Sequence, residues 1–105
     1  MDTVHLGRTG LQVSRLCLGT MNFGPRTEEA DSHAILDAGR EAGVNFVDTA
    51  NVYGRPVGVG VTESIVGRWF AQGGRRREDT VLATKVYGQM GDGPNERRLS
   101  AFHIR

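Results

Sequence analysis

Short apolar runs alternate with amphipathic stretches along this chain. Residues 4–6 and 11–13 alternate around Gly7-Arg8-Thr9-Gly10, which predicts a β-hairpin with a glycine-bearing turn. Leu16-Cys17-Leu18 is a brief apolar run closed by Gly19-Thr20, and it reads as a first buried strand followed by a loop over 21–26. Thr27 is placed as an N-cap, with Glu28 and Glu29 suited to the positive end of a helix dipole. The helix it opens spans residues 28–42. On its wheel Ala34, Ile35, Ala38 and Ala42 form the packing face, while His33, Asp37, Arg40 and Glu41 point away. Gly43 follows as a natural stop.

Residues 44–48 form the next strand and end in Asp48. A glycine- and valine-rich connection over 54–61 leads to Thr62-Glu63, the start of a second helix. Ile65, Val66, Trp69 and Phe70 give that helix a strong apolar stripe, and Gly73-Gly74 ends it. Residues 80–85 make a further strand. A long polar loop over 88–98 then leads into the beginning of another helix at 99–103.

A hairpin followed by strands alternating with helices implies an α/β protein with a parallel sheet and right-handed crossovers. A doubly wound sheet and a (β/α)8 barrel both satisfy this order. The doubly wound fold calls for an early phosphate loop. Gly58-Val59-Gly60-Val61-Thr62-Glu63 has the first two glycines of such a fingerprint, but Glu63 stands at the third, and the segment follows a loop rather than a strand. The barrel fits better, because chemistry in that fold collects at the C-terminal ends of the strands.

Composition narrows the picture. At 105 residues the chain is one small domain at most, and a net charge of +1 gives no signal for nucleic acid or an anionic membrane surface. Arg75-Arg76-Arg77, the one basic run, abuts Glu78-Asp79 and reads as a solvated turn. No stretch approaches the ~18 apolar residues of a membrane helix. The first residues lack the pattern of a secretory signal, so a cytoplasmic location is expected. The single cysteine, Cys17, lies between Leu16 and Leu18 and is expected to be a small buried side chain rather than a nucleophile.

The chemistry concentrates at strand ends. Lys85 is the only lysine in a chain with twelve arginines, and it closes Val81-Leu82-Ala83-Thr84-Lys85. Asp48 closes the preceding strand, and Tyr53 follows it by five residues. An acid, a phenol and an amine placed in this way point to proton transfer with a carbonyl-type substrate. Only a compact ammonium with a movable pKa suits the amine's role.

These segments resemble the aldo-keto reductase family. The resemblance rests on Asp48-Thr49-Ala50-x-x-Tyr53-Gly54, on Thr62-Glu63-Ser64-Ile65-Val66-Gly67 and on Ala83-Thr84-Lys85. Gly7-Arg8-Thr9-Gly10-Leu11-x-Val13-Ser14 and Leu18-Gly19-Thr20-Met21-Asn22-Phe23-Gly24 resemble the family's hairpin and first strand. The chain looks closest to the bacterial branch that is also similar to potassium-channel β subunits.

The resemblance implies an NADP-dependent oxidoreductase that interconverts aldehydes or ketones and alcohols, with small-molecule carbonyl substrates and no metal. It makes Asp48, Tyr53 and Lys85 the catalytic set. Tyr53 would be the proton donor, helped by Lys85 because a free phenol titrates near ~10. Lys85 would in turn be held by Asp48. Gly19, Thr20, Met21 and Asp48 would lie along the cofactor, and Tyr53 and Tyr87 against the substrate. The resemblance also places a histidine on the following strand, a role that His5, His33 and His103 do not fit. Residues 1–105 would thus be a partial domain, the hairpin and about three of eight strands of a (β/α)8 barrel. On its own such a piece is expected to fold marginally and to turn over no substrate.

Overall fold

The computed structural model describes residues 1–105. The hairpin is β1 (Thr3–His5) and β2 (Gln12–Ser14), antiparallel, with Val4 opposite Val13. Its turn is closed by Leu6 N–H donating to the Leu11 carbonyl at 2.9 Å, with Gly7 at φ 58°. Three parallel strands follow as a separate sheet in the order β3 (Cys17–Gly19), β4 (Phe46–Asp48) and β5 (Val81–Ala83). Helices α1 (Glu29–Glu41) and α2 (Val61–Ala71) make the crossovers, and α3 (Ala101–Ile104) ends the chain. The expected order of elements is therefore the observed one, with β1, β2 and β3 displaced by one residue from the runs that marked them and β4 and β5 shorter than theirs.

Register explains how the sheet divides its work. Leu18, Val47 and Leu82 are mutual partners across the three strands, and their side chains pack against the helical layer. That layer supplies Leu36 from α1 and Ile65, Val66 and Trp69 from α2, joined by Phe23. Successive side chains on a strand point to opposite faces. Cys17, Phe46 and Val81, and beyond them Gly19, Asp48 and Ala83, therefore stand in two rows on the other face. That second face carries the candidate chemistry.

The hairpin is clipped to the N-terminal end of this sheet. Ser14 N–H donates to Asn45 Oδ1 at 2.7 Å, and Asn45 N–H donates back to Ser14 Oγ at 3.2 Å. The Asn45 carbonyl accepts from Val81 N–H at 2.7 Å, so one residue joins hairpin, β4 and β5. The opposite, C-terminal end of the sheet is left free.

Three local readings are corrected by the structure. The packing face of α1 is not the alanine-rich one, since Ile35 is 43 % exposed and Ala34, Ala38 and Ala42 are exposed as well. Ser32 and Leu36 are buried instead, and Gly39 faces Leu18 so closely that a Cβ there would meet its Cδ1 at 2.8 Å. The supposedly outward polar residues bind α2. Trp69 Nε1 donates to Asp37 Oδ1 at 2.9 Å, and His33 Nε2 lies 2.9 Å from the Ile65 carbonyl. Leu36 packs in the core and these hydrogen bonds to α2 orient the helix with it.

Thr27 is not the cap of α1. Glu28 occupies that position without a side-chain bond, and the Thr27 carbonyl, which a cap would offer to the helix, accepts instead from Gly24 N–H at 2.8 Å in the preceding turn. Cys17 is exposed rather than buried, because it stands on the outer strand β3 and on the face that the helices leave uncovered.

Asp37 accepts from Trp69 and from Arg76, whose Nη2 is 3.2 Å away. The Trp69 hydrogen bond above all, and then the Arg76 guanidinium, hold its carboxyl below the ordinary value. A depressed carboxyl contributes stability above its unfolded pKa, about 3.9, and loses that contribution as pH falls through the lower folded value. Asp37→Asn keeps an acceptor for Trp69 but no charge. Denaturation followed by Trp69 fluorescence should show the wild type more stable than Asp37→Asn at pH 7, with the gap closing in acid. The gap is expected to be modest, because the Asp37 side chain is 41 % exposed.

Candidate functional site at the C-terminal ends of the strands

The free end of the sheet is built by hydrogen bonds that continue the ladder past the strands. Thr20 N–H donates to the Asp48 carbonyl at 3.1 Å, Thr49 N–H to the Ala83 carbonyl at 2.8 Å, and Asn51 N–H to the Lys85 carbonyl at 3.2 Å. Each strand thereby pins the start of its neighbour's exit loop. Thr20 is fully buried and adds its hydroxyl to the Asp48 carbonyl at 2.9 Å. Thr62 Oγ1 donates to the Phe23 carbonyl at 2.7 Å and fastens the first exit loop to the start of α2.

On this platform Asp48, Tyr53 and Lys85 meet. Lys85 Nζ donates to Asp48 Oδ2 at 2.8 Å and Oδ1 at 3.0 Å, to the Thr49 carbonyl at 2.8 Å, and to the Tyr53 hydroxyl at 3.3 Å. An ammonium has three N–H donors for these four acceptors, so the two carboxylate oxygens share. The ammonium also lies 5.0 Å from the centroid of the Tyr53 ring. Because the Tyr53 oxygen accepts from Lys85, its own O–H stays free to be given to another acceptor.

The Asp48 carboxylate chiefly, and after it the Tyr53 hydroxyl, raise the Lys85 ammonium above the ordinary lysine value against a weaker opposing effect of desolvation. The amine is therefore charged throughout the neutral range. A raised lysine stabilises the fold at pH values below its unfolded pKa and loses that contribution only as pH rises through the folded one.

An open cleft of about 280 Å³ adjoins the triad, walled by Gly19, Thr20, Met21, Asn22, Asp48 and Tyr53. The three residues expected along the cofactor are thus brought beside the acid and the phenol. Gly19 has nothing within 4 Å of where a Cβ would stand, which leaves a bare floor at that point. Tyr87 is not among the walls and is 65 % exposed, so the cleft does not gather it. His5, His33 and His103 do not line it either.

Two contributors escaped the sequence reading. Asn22 was assigned only to a loop, and the Thr49 carbonyl is a backbone group whose direction no residue type announces. A larger groove of about 550 Å³ lies at the other end of β4, between Asp37, Arg40, Glu41, Arg76 and Asp79. Four of its five charges are paired, Arg40 with Asp79 and Arg76 with Asp37, which makes it a staple between elements.

Cys17 is on the same sheet face as Asp48. Desolvation first, then the Asp48 carboxylate, push its thiol up, and Lys85 opposes them more weakly. A protonated thiol is a poor nucleophile, so Cys17 is no rival centre.

The profile of the Aldo/keto reductase family matches residues 15–105, and the chain belongs to that family. It is 57 % identical over 109 residues to an uncharacterized oxidoreductase, YrpG, of Bacillus subtilis, which covers all of this chain and 33 % of the relative. It is 46 % identical over 91 residues to protein tas of Escherichia coli, covering 84 % of this chain and 26 % of tas. A probable voltage-gated potassium channel subunit beta from rice is 42 % identical over 105 residues, covering 99 % of this chain and 30 % of the relative. The chain spans about a third of the length of the curated relatives it matches. The family and these relatives make it oxidoreductase-like, of a family that generally uses NAD(P)H. No helix is long and apolar enough to cross a membrane.

The ion pair at the centre of the site is directly measurable, since Lys85 is the only lysine in residues 1–105. With 13C-labelled lysine, the resonance lost in Lys85→Met identifies it. It should titrate above the ordinary value of 10.5 and move back toward that value in Asp48→Asn. An identical titration in both proteins would show that Asp48 does not hold the ammonium.

Proposed function

We propose that the protein is an NADP-dependent oxidoreductase that reduces aldehydes or ketones to alcohols, and that it works in the cytoplasm. The observation that carries this reading is the Lys85 ammonium donating to both the Asp48 carboxylate and the Tyr53 hydroxyl. In this reading residues 1–105 contribute the hairpin and the first three strands of a (β/α)8 barrel, with the cleft at its C-terminal rim. The parallel order β3-β4-β5 and the placement of the triad after the strands support that assignment.

The bound nicotinamide cofactor supplies the hydride. Gly19, Thr20, Met21 and Asp48 would hold its reactive end, the bare surface at Gly19 giving a flat ring room to lie close. Tyr53 donates its free O–H to the carbonyl oxygen as charge builds there. Lys85 stabilises the phenolate left behind, because a cation donating to that oxygen favours its charged form. Asp48 keeps the ammonium in place and charged. Tyr87 would contribute to the substrate side from the exit of β5.

The rice relative, a probable channel subunit beta, carries a second reading, in which the same fold serves as a partner-binding module. The two separate on turnover. In the protein at its native length, NADPH oxidation with a panel of aldehydes should be measurable, and Tyr53→Phe should lower kcat by about 10²–10⁴-fold with NADPH affinity retained. Full activity in that variant would remove Tyr53 from the chemistry. No turnover with any carbonyl in the wild type would favour the binding module.

A further inference from the structure

The loop that leaves β5 reaches back to the turn that carries Tyr53. Gly88 lies directly against Val52, the residue before Tyr53. A Cβ at position 88 would come 2.4 Å from Val52 Cγ1, 3.1 Å from Cγ2 and 3.3 Å from Cβ. Gly88 is not among the glycines with positive φ, so its backbone is one that any residue adopts. Space, not conformation, requires glycine here. On either side of Val52 the same two segments are bonded, Asn51 N–H to the Lys85 carbonyl at 3.2 Å and Arg55 Nη2 to the Gln89 carbonyl at 3.2 Å. Residues 51, 52 and 55 therefore bracket Tyr53, and all three rest on residues 85, 88 and 89.

The brace matters because of one distance. The contact from Lys85 Nζ to the Tyr53 hydroxyl, at 3.3 Å, is the longest of the four that the ammonium makes. It is already at the outer edge of hydrogen-bond range, where a few tenths of an ångström abolish it. We propose that Gly88 is a positioning residue, and that its contact with Val52 sets the separation of the Tyr53 hydroxyl from the Lys85 ammonium. The proposal rests on the reading of Tyr53 as proton donor.

Any side chain at 88 must displace either its own loop or the turn at Val52. The loop is braced by bonds among its own residues. Arg98 N–H donates to the Tyr87 carbonyl at 2.9 Å and Met90 N–H to the Glu96 carbonyl at 2.8 Å, while the Glu96 carboxylate accepts from Gly93 N–H at 2.7 Å. The turn is held by longer bonds, Tyr53 N–H to the Ala50 carbonyl and Thr62 N–H to the Tyr53 carbonyl, both at 3.2 Å. A side chain at 88 that presses this braced loop against Val52 would shift the turn, and Tyr53 with it.

The test is steady-state kinetics of carbonyl reduction with the protein at its native length. Gly88→Ala should lower kcat by an amount approaching ~10²-fold, the scale of a 1 Å misplacement, while NADPH affinity and melting temperature hold. Adding Val52→Ala removes both γ carbons that the new methyl meets, and the double variant should recover most of the lost kcat. Unchanged kcat in Gly88→Ala overturns the proposal. So does a loss that Val52→Ala does not relieve, or a Gly88→Ala protein that fails to fold, since the contact would then support the fold rather than the site. Tyr53→Phe is assayed beside them. If it retains turnover the catalytic reading itself is wrong, whatever residue 88 does.

Discussion

The in-register pairing of Gly19 with Asp48 and of Asp48 with Ala83 is the constraint on which everything else in this structure depends. A side-chain period of two means that this alignment also fixes Leu18, Val47 and Leu82 toward the helices. Slip β4 by one residue and Asp48 turns into the core, while an apolar side chain takes its place at the cleft. The same hydrogen bonds that hold the sheet together therefore decide where the acid points. Apolar burial against Leu36, Ile65, Val66 and Trp69 selects the register, and the register delivers the site.

The strands and the site were legible for a common reason. Apolar runs ending in glycine or a charged residue are strong signals, and here the terminating residues are themselves the ones that meet at the cleft. A lone lysine among twelve arginines also carries information, because a chain so rich in guanidinium carries an ammonium at one place only. What was not legible depends on partners far apart in sequence. Nothing local marks Asp37 as the acceptor for Trp69, or His33 as the neighbour of the Ile65 carbonyl, so the polar side of α1 read as solvated. Thr27 read as a cap because the engagement of its carbonyl by Gly24 N–H is invisible in composition. Cys17 read as buried because its apolar neighbours do not reveal that it faces away from the helices. Gly88 had no signal at all, since its need for glycine is steric and lies in Val52.

Stability and chemistry occupy opposite faces of the sheet, and this separation has an energetic logic. The core face is mostly apolar; Ser32 is satisfied there by the Glu28 carbonyl at 2.8 Å, while the buried Thr49 hydroxyl has no hydrogen-bond partner. The other face holds a charged pair that is only partly desolvated, the Lys85 side chain being 50 % exposed. A charge pair in such a place pays little desolvation and contributes little to folding. Its value lies in geometry, since it orients an amine whose donors are already assigned. The fold tolerates the pair and does not rely on it.

That geometry also explains why the residue is lysine. The Nζ atom stands at the centre of four acceptors, two from Asp48, one from the Thr49 carbonyl and one from the Tyr53 hydroxyl. They approach from different directions, and a rotatable ammonium meets them from one point. A guanidinium spreads its donors in a rigid plane and suits a single bidentate partner. Arginine at this position could grip Asp48 with both forks, but only by turning its donors away from Tyr53. The phenol would lose its hydrogen bond from the cation while the ion pair survived. Keeping the charge is therefore insufficient, because what the site requires is one small cation that serves the acid and the phenol together.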